Sequence, residues 1–169
     1  MSTDPEQAVQ NQSREKRVIG FTEMKEKYLP HRYPIIGLDR ITDYRPGEYV
    51  EAVKAISGNS PEVVGHFPER AIYPGTTGLS SVAQLAIVFF KLSNGPLAAG
   101  EMTVIKSIAG QFLQPIAPGV LLSFRMTVRR LTSGVGMFRC AASVDGQVVM
   151  RSTVTLAKTK IDNYRDIPW

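Results

Sequence analysis

The chain has 169 residues, which is the length of a single domain and enough to bury a hydrophobic core. Its hydrophobic share of 43% and its charged share of 21% are ordinary for a globular protein. The formal net charge of +5 fits a weakly acidic partner, whereas the scattered lysines and arginines, with no recognition motif among them, argue against nucleic acid. One cysteine, Cys140, excludes an internal disulfide and a cysteine-rich metal site, and favours the reducing cytoplasm.

The first part of the chain predicts a tail and a short helix. Residues 1–18 are polar, lack apolar periodicity and contain no secretory signal, so we expect a flexible tail. A short helix is predicted over residues 21–28, and it ends before Pro30 because the residue preceding a proline disfavours helical geometry.

A hairpin and a long loop follow. A strand is predicted over residues 35–44, closed by the turn Arg45-Pro46-Gly47, and its partner over residues 49–56. Residues 58–75 are predicted to be loop, because the stretch contains the turn residues Gly58, Pro61, Pro68 and Pro74.

The next segment is the one long helix of the chain, predicted over residues 76–93. It is apolar on nearly all sides, which is typical of a helix buried in a core. Its longest apolar run, residues 79–92, contains Gln84 and Lys91 and is too short and too polar to cross a bilayer, so we expect no membrane association. Asn94-Gly95-Pro96 is a typical helix end.

The last third of the chain predicts antiparallel strands. Apolar and polar residues alternate over 120–129, 137–144 and 148–156, and the Asp145-Gly146 pair predicts a tight hairpin turn. A further strand region, 102–114, ends before Pro115.

These elements predict an α+β fold in which a curved antiparallel sheet of about six strands wraps around one buried helix. The folded domain is expected over residues 19–160, with a second tail over 161–169. Such a sheet leaves edge strands, and pairing of two chains through an edge would cover them and allow sites to form between subunits.

The most informative segment is residues 65–84, where a Pro/Gly-rich loop containing His66 leads into the long helix. An imidazole acts as an acid or a base near neutral pH. A helix that begins at Gly75 offers unpaired backbone N–H groups next to it. The combination indicates a site that moves a proton while it holds an oxygen atom.

Several motifs in this order resemble the bacterial 3-hydroxyacyl-[acyl-carrier-protein] dehydratases of fatty acid synthesis, over roughly residues 25–158. The motifs are Leu29-Pro30-His31-Arg32-Tyr33-Pro34, Leu38-Asp39-Arg40, Gly65-His66-Phe67-Pro68, Pro74-Gly75, Ala83-Gln84, the stretch 112–119 and Val144-Asp145-Gly146. The resemblance implies the hot-dog fold, a homodimer or heterodimer, and acyl thioesters carried on the phosphopantetheine of an acyl carrier protein. It implies no cofactor beyond that carrier group and no metal.

The resemblance also implies roles for individual residues. His66 would remove the α-proton of the thioester, the Gly75 N–H would hold the thioester carbonyl, and the Ile72 carbonyl would orient the imidazole. In the family, a Glu or Asp on the central helix of the other subunit protonates the leaving hydroxyl. Ser80 stands at that position here, and a hydroxyl is a far weaker acid than a carboxylic acid.

Other residues have competing interpretations. Tyr73 and Gln84 are candidate substrate contacts, although packing of Tyr73 at the loop edge and core hydrogen bonding of Gln84 explain them as well. His31 is expected to have a local packing and hydrogen-bonding role, and Glu69 to be a solvated loop charge. Phe89 and Phe90 are expected in the core. The basic residues that are candidates to meet an acidic carrier are Lys106, Arg125, Arg129, Arg130 and Arg139.

Three classes of function remain open on the sequence. The first is a dehydratase-like enzyme, possible also as one subunit of a heteromer whose partner supplies the acid, or as an enoyl-thioester isomerase with His66 acting alone. The second is a non-catalytic hot-dog partner or carrier-binding scaffold. The third is a thioesterase, which ranks last because the helix lacks an Asp or Glu to activate water. A fold does not choose among these.

Overall fold

The computed structural model describes residues 15–67, 69–164 and 166. Residues 1–14 of the predicted N-terminal tail, Pro68 of the His66 loop, and residues 165 and 167–169 of the predicted C-terminal tail lie outside the described residues.

Six antiparallel strands form one sheet in the order β1-β2-β4-β5-β6-β3. Their bounds are β1 Arg40–Arg45, β2 Tyr49–Ala55, β3 Glu101–Phe112, β4 Leu121–Leu131, β5 Val135–Val144 and β6 Gln147–Lys160. The predicted number of strands and the predicted antiparallel pairing are therefore confirmed.

The described residues also contain three α-helices, a short π-helical stretch and a 3₁₀ turn. The helices are α1 Phe21–Glu23, α2 Pro61–Val64 and α3 Gly75–Asn94. A π-helical stretch, Met24–Tyr28, continues α1, and a 3₁₀ turn, Ile161–Tyr164, follows β6. The short helix predicted over residues 21–28 and the long helix predicted over residues 76–93 are both present.

Alternation along the strands decides which face of the sheet is buried. In β4 the buried residues are Leu122, Phe124 and Met126, and the intervening side chains are exposed. The β5–β6 hairpin closes at Asp145-Gly146, where both residues have positive φ, 49° and 80°. Two such residues in succession give the type of turn whose twist matches that of paired strands.

The helix α3 fills the concave side of the sheet. Ten of its residues are buried, including Leu85, Phe89 and Phe90, and Phe89 contacts the Phe138 ring of β5 at a centroid distance of 5.2 Å. Close approach of helix and sheet depends on Gly110 of β3, because a methyl group there would lie 2.6 Å from Cδ2 of Leu79.

Two predicted boundaries are corrected by the structure. The strand predicted from residue 35 begins only at Arg40, because the backbone of the preceding segment binds a side chain of α3, Gln84, instead of a strand. The loop predicted over 58–75 contains α2, which begins at Pro61; proline is well suited to the first position of a helix because its missing N–H would be unpaired there.

By length and composition, α3 is long and apolar enough to cross a membrane, so the argument that its apolar run is too short does not hold. Its burial against the sheet provides a different explanation for its composition, since the core helix of a globular protein passes the same test.

The strand β3 forms one edge of the sheet. In the described part of the chain it pairs only with β6, and most of its second half is exposed. An unpaired edge of twelve residues presents backbone donors and acceptors to another chain.

Candidate active site

His66 lies in the connection between α2 and α3, directly after the C-terminal Gly65 of α2. The backbone N–H of His66 donates to the Val63 carbonyl at 3.2 Å, so the last turn of α2 fixes the position of the His66 backbone. The side chain is partly buried and lines a cavity of about 360 Å³.

A hydrogen bond of 2.8 Å joins Nδ1 of His66 to the backbone carbonyl oxygen of Ile72. A carbonyl only accepts, so in the neutral ring Nδ1 carries the hydrogen and Nε2 keeps its lone pair. The hydrogen bond that the sequence led us to expect is therefore present, and it leaves Nε2 as the basic nitrogen.

The backbone next to the imidazole has an unusual conformation. Phe67 has a φ of 55°, in the left-handed region that a bulky residue rarely adopts. Its ring contacts the imidazole at a centroid distance of 4.0 Å. Strain of this kind is concentrated at functional sites, where the surrounding structure holds it in place.

Gly75 begins α3 beside the same cavity. The residue before it, Pro74, provides no side-chain cap, and the first turn of the helix carries no acidic residue. The N–H groups at the helix start have no intrahelical acceptor and attract negative charge. A methyl group at Gly75 would lie 2.5 Å from Cε1 of Phe112, so glycine allows this ring to cover the helix start.

Two further segments complete the cavity that contains His66. Residues 112–116 form one wall, and Val149 and Met150 of β6 form another. The Tyr73 N–H donates to the Ile116 carbonyl at 2.8 Å and ties the first wall to the loop before α3. The cavity is open, and beside it Phe112 and Leu113 are 52% and 45% exposed.

Tyr73 forms part of the cavity wall, but its side chain is buried in the core. Burial raises the pKa of Tyr73 to about 12, and the neighbouring Ser81 hydroxyl offsets the effect only in part. In the described part of the chain, the Tyr73 hydroxyl has no hydrogen-bond partner of acceptable geometry. The phenol therefore stays protonated near neutral pH, and the buried side chain favours a packing role for Tyr73.

Ser80 is exposed and lies away from His66 in the same chain. It lines a second cavity, of about 300 Å³, at the other side of the α3 N-terminal turns. Among the described residues that line the two cavities, only Thr76 lines both. Within one chain the structure does not bring His66 and Ser80 together.

Gln84, predicted as a candidate substrate contact, is a structural residue. Its Oε1 accepts from the Gly37 N–H at 2.9 Å and its Nε2 donates to the Ile35 carbonyl at 2.8 Å. The side chain is buried and lines neither of the cavities just described. Both ends of the amide hold the segment before β1 against α3, which favours the core hydrogen-bonding interpretation of Gln84 over substrate contact.

The remaining residues that the sequence singled out lie mostly where they were expected. Glu69 is exposed in the turn after His66, and Phe89 and Phe90 are buried in the core. His31 is partly buried, and burial together with the Lys91 charge lowers its pKa. The hydrogen bond expected for His31 is not formed at Nδ1, which is buried without a partner among the described residues.

The basic candidates for carrier contact are all exposed: Lys106, Arg125, Arg129, Arg130 and Arg139. Two of them, Arg125 and Arg139, line a cavity of about 560 Å³ that also contains Arg151. Arg125 is paired with Glu51 and stacks 4.4 Å from the centre of the Tyr49 ring.

Cys140 is not a nucleophile in this fold. It is buried between strands, and burial raises the pKa of its thiol to about 12. The reactive form of cysteine is the thiolate, which is therefore absent near neutral pH.

Several cavity residues were missed by the sequence interpretation. Phe112, Leu113 and Met150 were interpreted only as parts of strands, and Lys54 and Glu62 of the Ser80 cavity drew no attention. Phe112 could have been recognised as a cavity residue, because it begins the stretch 112–119 that resembles the dehydratase family. No sequence motif contains Lys54 and Glu62, and only the fold shows that their side chains meet at the Ser80 cavity.

Comparison with known proteins identifies the class of this chain. Residues 29–153 match the model of the FabA-like domain, which covers the helix, the His66 loop and most of the sheet. The chain belongs to this family of hot-dog proteins.

Individual relatives narrow the comparison further. The chain is 38% identical over 158 residues to a coronafacic acid dehydratase from Pseudomonas savastanoi pv. glycinea, covering 94% of this chain and 95% of the relative. It is 38% identical over 134 residues to a 3-hydroxyacyl-[acyl-carrier-protein] dehydratase FabZ from Psychromonas ingrahamii, covering 79% of this chain and 89% of that protein.

Solved structures share the fold. The dehydratase heterocomplex ApeI:P from Xenorhabdus doucetiae matches with a TM-score of 0.68 at 16% identity, covering 81% of this chain and 91% of the matched chain. A thioesterase from Haemophilus influenzae matches with a TM-score of 0.63 at 14% identity, covering 86% and 94%. These matches confirm the predicted hot-dog fold.

Proposed function

We propose that this protein is a dehydratase that removes water from 3-hydroxyacyl thioesters carried by acyl carrier protein, in fatty acid or polyketide-type biosynthesis. Two dehydratases to which it is 38% identical support the reaction class. The observation that carries the proposal is the hydrogen bond between Nδ1 of His66 and the Ile72 carbonyl, next to the start of α3.

The chemistry begins with proton removal. Nε2 of His66 takes the proton from the carbon next to the thioester carbonyl, and the Ile72 carbonyl holds the ring in the tautomer that makes this possible. Negative charge develops on the thioester oxygen, and the Gly75 N–H stabilises it from the unpaired start of the helix. Loss of the hydroxyl group from the next carbon then gives the enoyl thioester and water.

The cavity walls suit an acyl chain. Phe112, Leu113, Ile116 and Met150 supply apolar surface beside the imidazole. The thioester arrives on phosphopantetheine, so the reaction itself requires no cofactor bound by this chain. The net charge of +5 and the exposed arginines are complementary to an acidic carrier protein.

The working form is a homodimer or a heterodimer with another hot-dog subunit. The free edge of β3 and the exposed Phe112 and Leu113 beside the His66 cavity support this assembly, because a second chain would cover both. A related dehydratase of the same fold is a heterocomplex. The reducing cytoplasm is the compartment that best fits a chain whose one cysteine is buried as a free thiol.

The alternatives make different predictions. An isomerase would also use His66 but would leave 3-hydroxyacyl thioesters unchanged. A scaffold would bind the carrier without turnover. A thioesterase would release the free acid, although α3 carries no Asp or Glu to activate water.

The direct test uses a 3-hydroxyacyl group attached to acyl carrier protein, with the product measured by mass spectrometry. The unmodified protein is expected to convert the group to one that lacks a molecule of water. Replacement of the base, His66→Ala, is expected to reduce this rate by about 10²–10⁴-fold, the usual contribution of a general base, while the melting temperature changes little.

Unchanged mass in every reaction would refute the dehydratase proposal. Full activity of the His66→Ala variant would refute the assignment of the base.

A further inference from the structure

The cavity lined by Ser80 is also lined by an ion pair. This pair could supply the proton that the helix carboxylate provides in the family, where this chain has Ser80. Lys54 of β2 and Glu62 of α2 line this cavity together with Thr76, Thr77 and Ser80. This inference rests on the proposed dehydration, because it concerns the proton that the leaving hydroxyl requires.

The Lys54–Glu62 pair is much less exposed than the surface pair Lys27–Glu23. Nζ of Lys54 lies 3.7 Å from Oε1 of Glu62, and the two side chains are only 12% and 25% exposed. In the surface pair Lys27–Glu23 the corresponding values are 66% and 44%. Charges held away from water interact more strongly with one another and with a bound ligand.

The pair has one member that can donate a proton. In an ion pair the carboxylate only accepts hydrogen bonds, whereas the ammonium carries three protons and only donates. No hydrogen bond among the described residues engages Nζ of Lys54, since its distance to Glu62 exceeds hydrogen-bonding range. Lys54 is therefore the member of this ion pair that can donate a proton to a ligand in the cavity.

We propose that Lys54 is the general acid of the dehydration, with Glu62 as a positioning residue and Ser80 as a hydrogen-bond partner of the substrate hydroxyl. Nε2 of His66 takes the α-proton, and the electron pair of that C–H bond forms the double bond between the α and β carbons. The β carbon–oxygen bond breaks, its electron pair stays on oxygen, and that oxygen takes a proton from Nζ of Lys54 and leaves as water. Solvent then returns a proton to Lys54 and accepts the one on His66.

The two halves of the site come from different chains in this proposal. His66 and Lys54 line different cavities within one chain, and both cavities are open. A dimer in which the Ser80 cavity of one subunit meets the His66 cavity of the other brings base and acid to opposite sides of one substrate.

The first test compares kinetic constants of matched variants. Lys54→Met removes the ammonium and keeps an apolar stem, and we expect kcat to fall about 10²-fold or more, the usual range for loss of a general acid, with little change in KM. Lys27→Met breaks a surface Lys–Glu pair and serves as the control, with activity unchanged.

Rescue separates a chemical role from a structural one. Ethylammonium added to a truncated variant, Lys54→Ala, is expected to restore part of kcat, because a small cation fits the space left by the side chain. Glu62→Gln is expected to lower kcat less than Lys54→Met does, and to have no further effect in the Lys54→Met background. Amines that fail to rescue a folded Lys54→Ala variant, or a Lys54→Met variant with unmodified kcat, would overturn the proposal.

A complementation experiment tests the shared site. Chains carrying His66→Ala are co-expressed with chains carrying Lys54→Met, so that a mixed dimer keeps one intact site of two. Random assortment of a two-fold dimer predicts about a quarter of the unmodified activity, whereas each variant alone is nearly inactive. Activity no greater than the sum of the single variants would overturn the shared arrangement.

The outcomes also separate this inference from the proposed function. Dehydration by the unmodified protein that is insensitive to Lys54→Met leaves the dehydratase proposal intact and rejects Lys54 as the acid. No dehydration by the unmodified protein rejects the dehydratase proposal, and the role of Lys54 with it.

Discussion

The two histidines of this chain differ in the hydrogen bonding of their ring nitrogens. His66 has a hydrogen-bond acceptor for Nδ1 and an open cavity beside its ring, whereas His31 has a buried Nδ1 without a partner among the described residues. A ring that is held by one nitrogen and open at the other suits proton transfer. His31, whose Nδ1 is buried without a partner among the described residues, is instead expected to change the free energy of unfolding.

We predict that His31 makes stability depend on pH. Burial and the positive charge of Lys91 lower the pKa of His31 from its ordinary value of 6.5, so below that pH the unfolded chain binds more protons than the folded one. Stability is then highest above the unfolded value and is lost as the pH falls from 6.5 towards the lower folded value. Urea unfolding at several pH values is expected to show a shallower loss for His31→Gln than for the unmodified protein.

Because the chain has only two histidines, the difference between the two unfolding curves isolates His31. Parallel curves over this range would show that His31 is not the group responsible.

At the scale of elements, the fold depends on how α3 holds the chain segments around it. The sequence predicts α3 well, because its apolar composition and its Gly-Pro end are local signals. The strands β4, β5 and β6 are equally predictable, since each has period-2 alternation and a strong turn separates the last two. The start of β1 cannot be predicted from local sequence, because Gln84 is 49 residues away from the carbonyl that it binds.

We predict that Gln84→Leu detaches the segment before β1. The substitution leaves the Ile35 carbonyl and the Gly37 N–H without their partners in a buried place. A buried polar group left unpaired costs about 1–3 kcal/mol, so the two together should lower the free energy of unfolding by about 2–6 kcal/mol. Urea unfolding measures this loss.

The matched control for this prediction is Gln147→Leu at the exposed start of β6, which is expected to change stability by less than about 0.5 kcal/mol. A loss below about 1 kcal/mol for Gln84→Leu would mean that water replaces the amide in both hydrogen bonds.

The candidate site was predictable in part, for a similar reason. His66, Ile72 and Gly75 lie within ten residues of one another, so a local motif was enough to group them. Phe112 and Met150 join them through pairing of β3 with β6, in which the two residues are direct partners. Lys54 and Glu62 are eight residues apart in the sequence but belong to no recognisable motif, and only the fold shows that their side chains meet at the Ser80 cavity.

At the scale of the whole molecule, one chain presents two incomplete cavities on either side of the start of α3. The apolar cavity with His66 holds a base and the unpaired helix start, and the polar cavity with Ser80 holds an ion pair. The free edge of β3 lies at one side of the sheet, and its end forms a wall of the His66 cavity. A second chain would thus both cover the edge and complete the site.

In the proposed reaction, the His66 imidazole removes the proton next to the thioester carbonyl. Incubation of carrier-bound 3-hydroxyacyl thioester with the protein in D₂O tests it most directly, because reversible removal of that proton introduces deuterium at the α carbon. Mass spectrometry is expected to show deuterium in the thioester recovered from the unmodified protein and none above background with His66→Ala. Equal incorporation with both proteins, or none with either, would contradict the account.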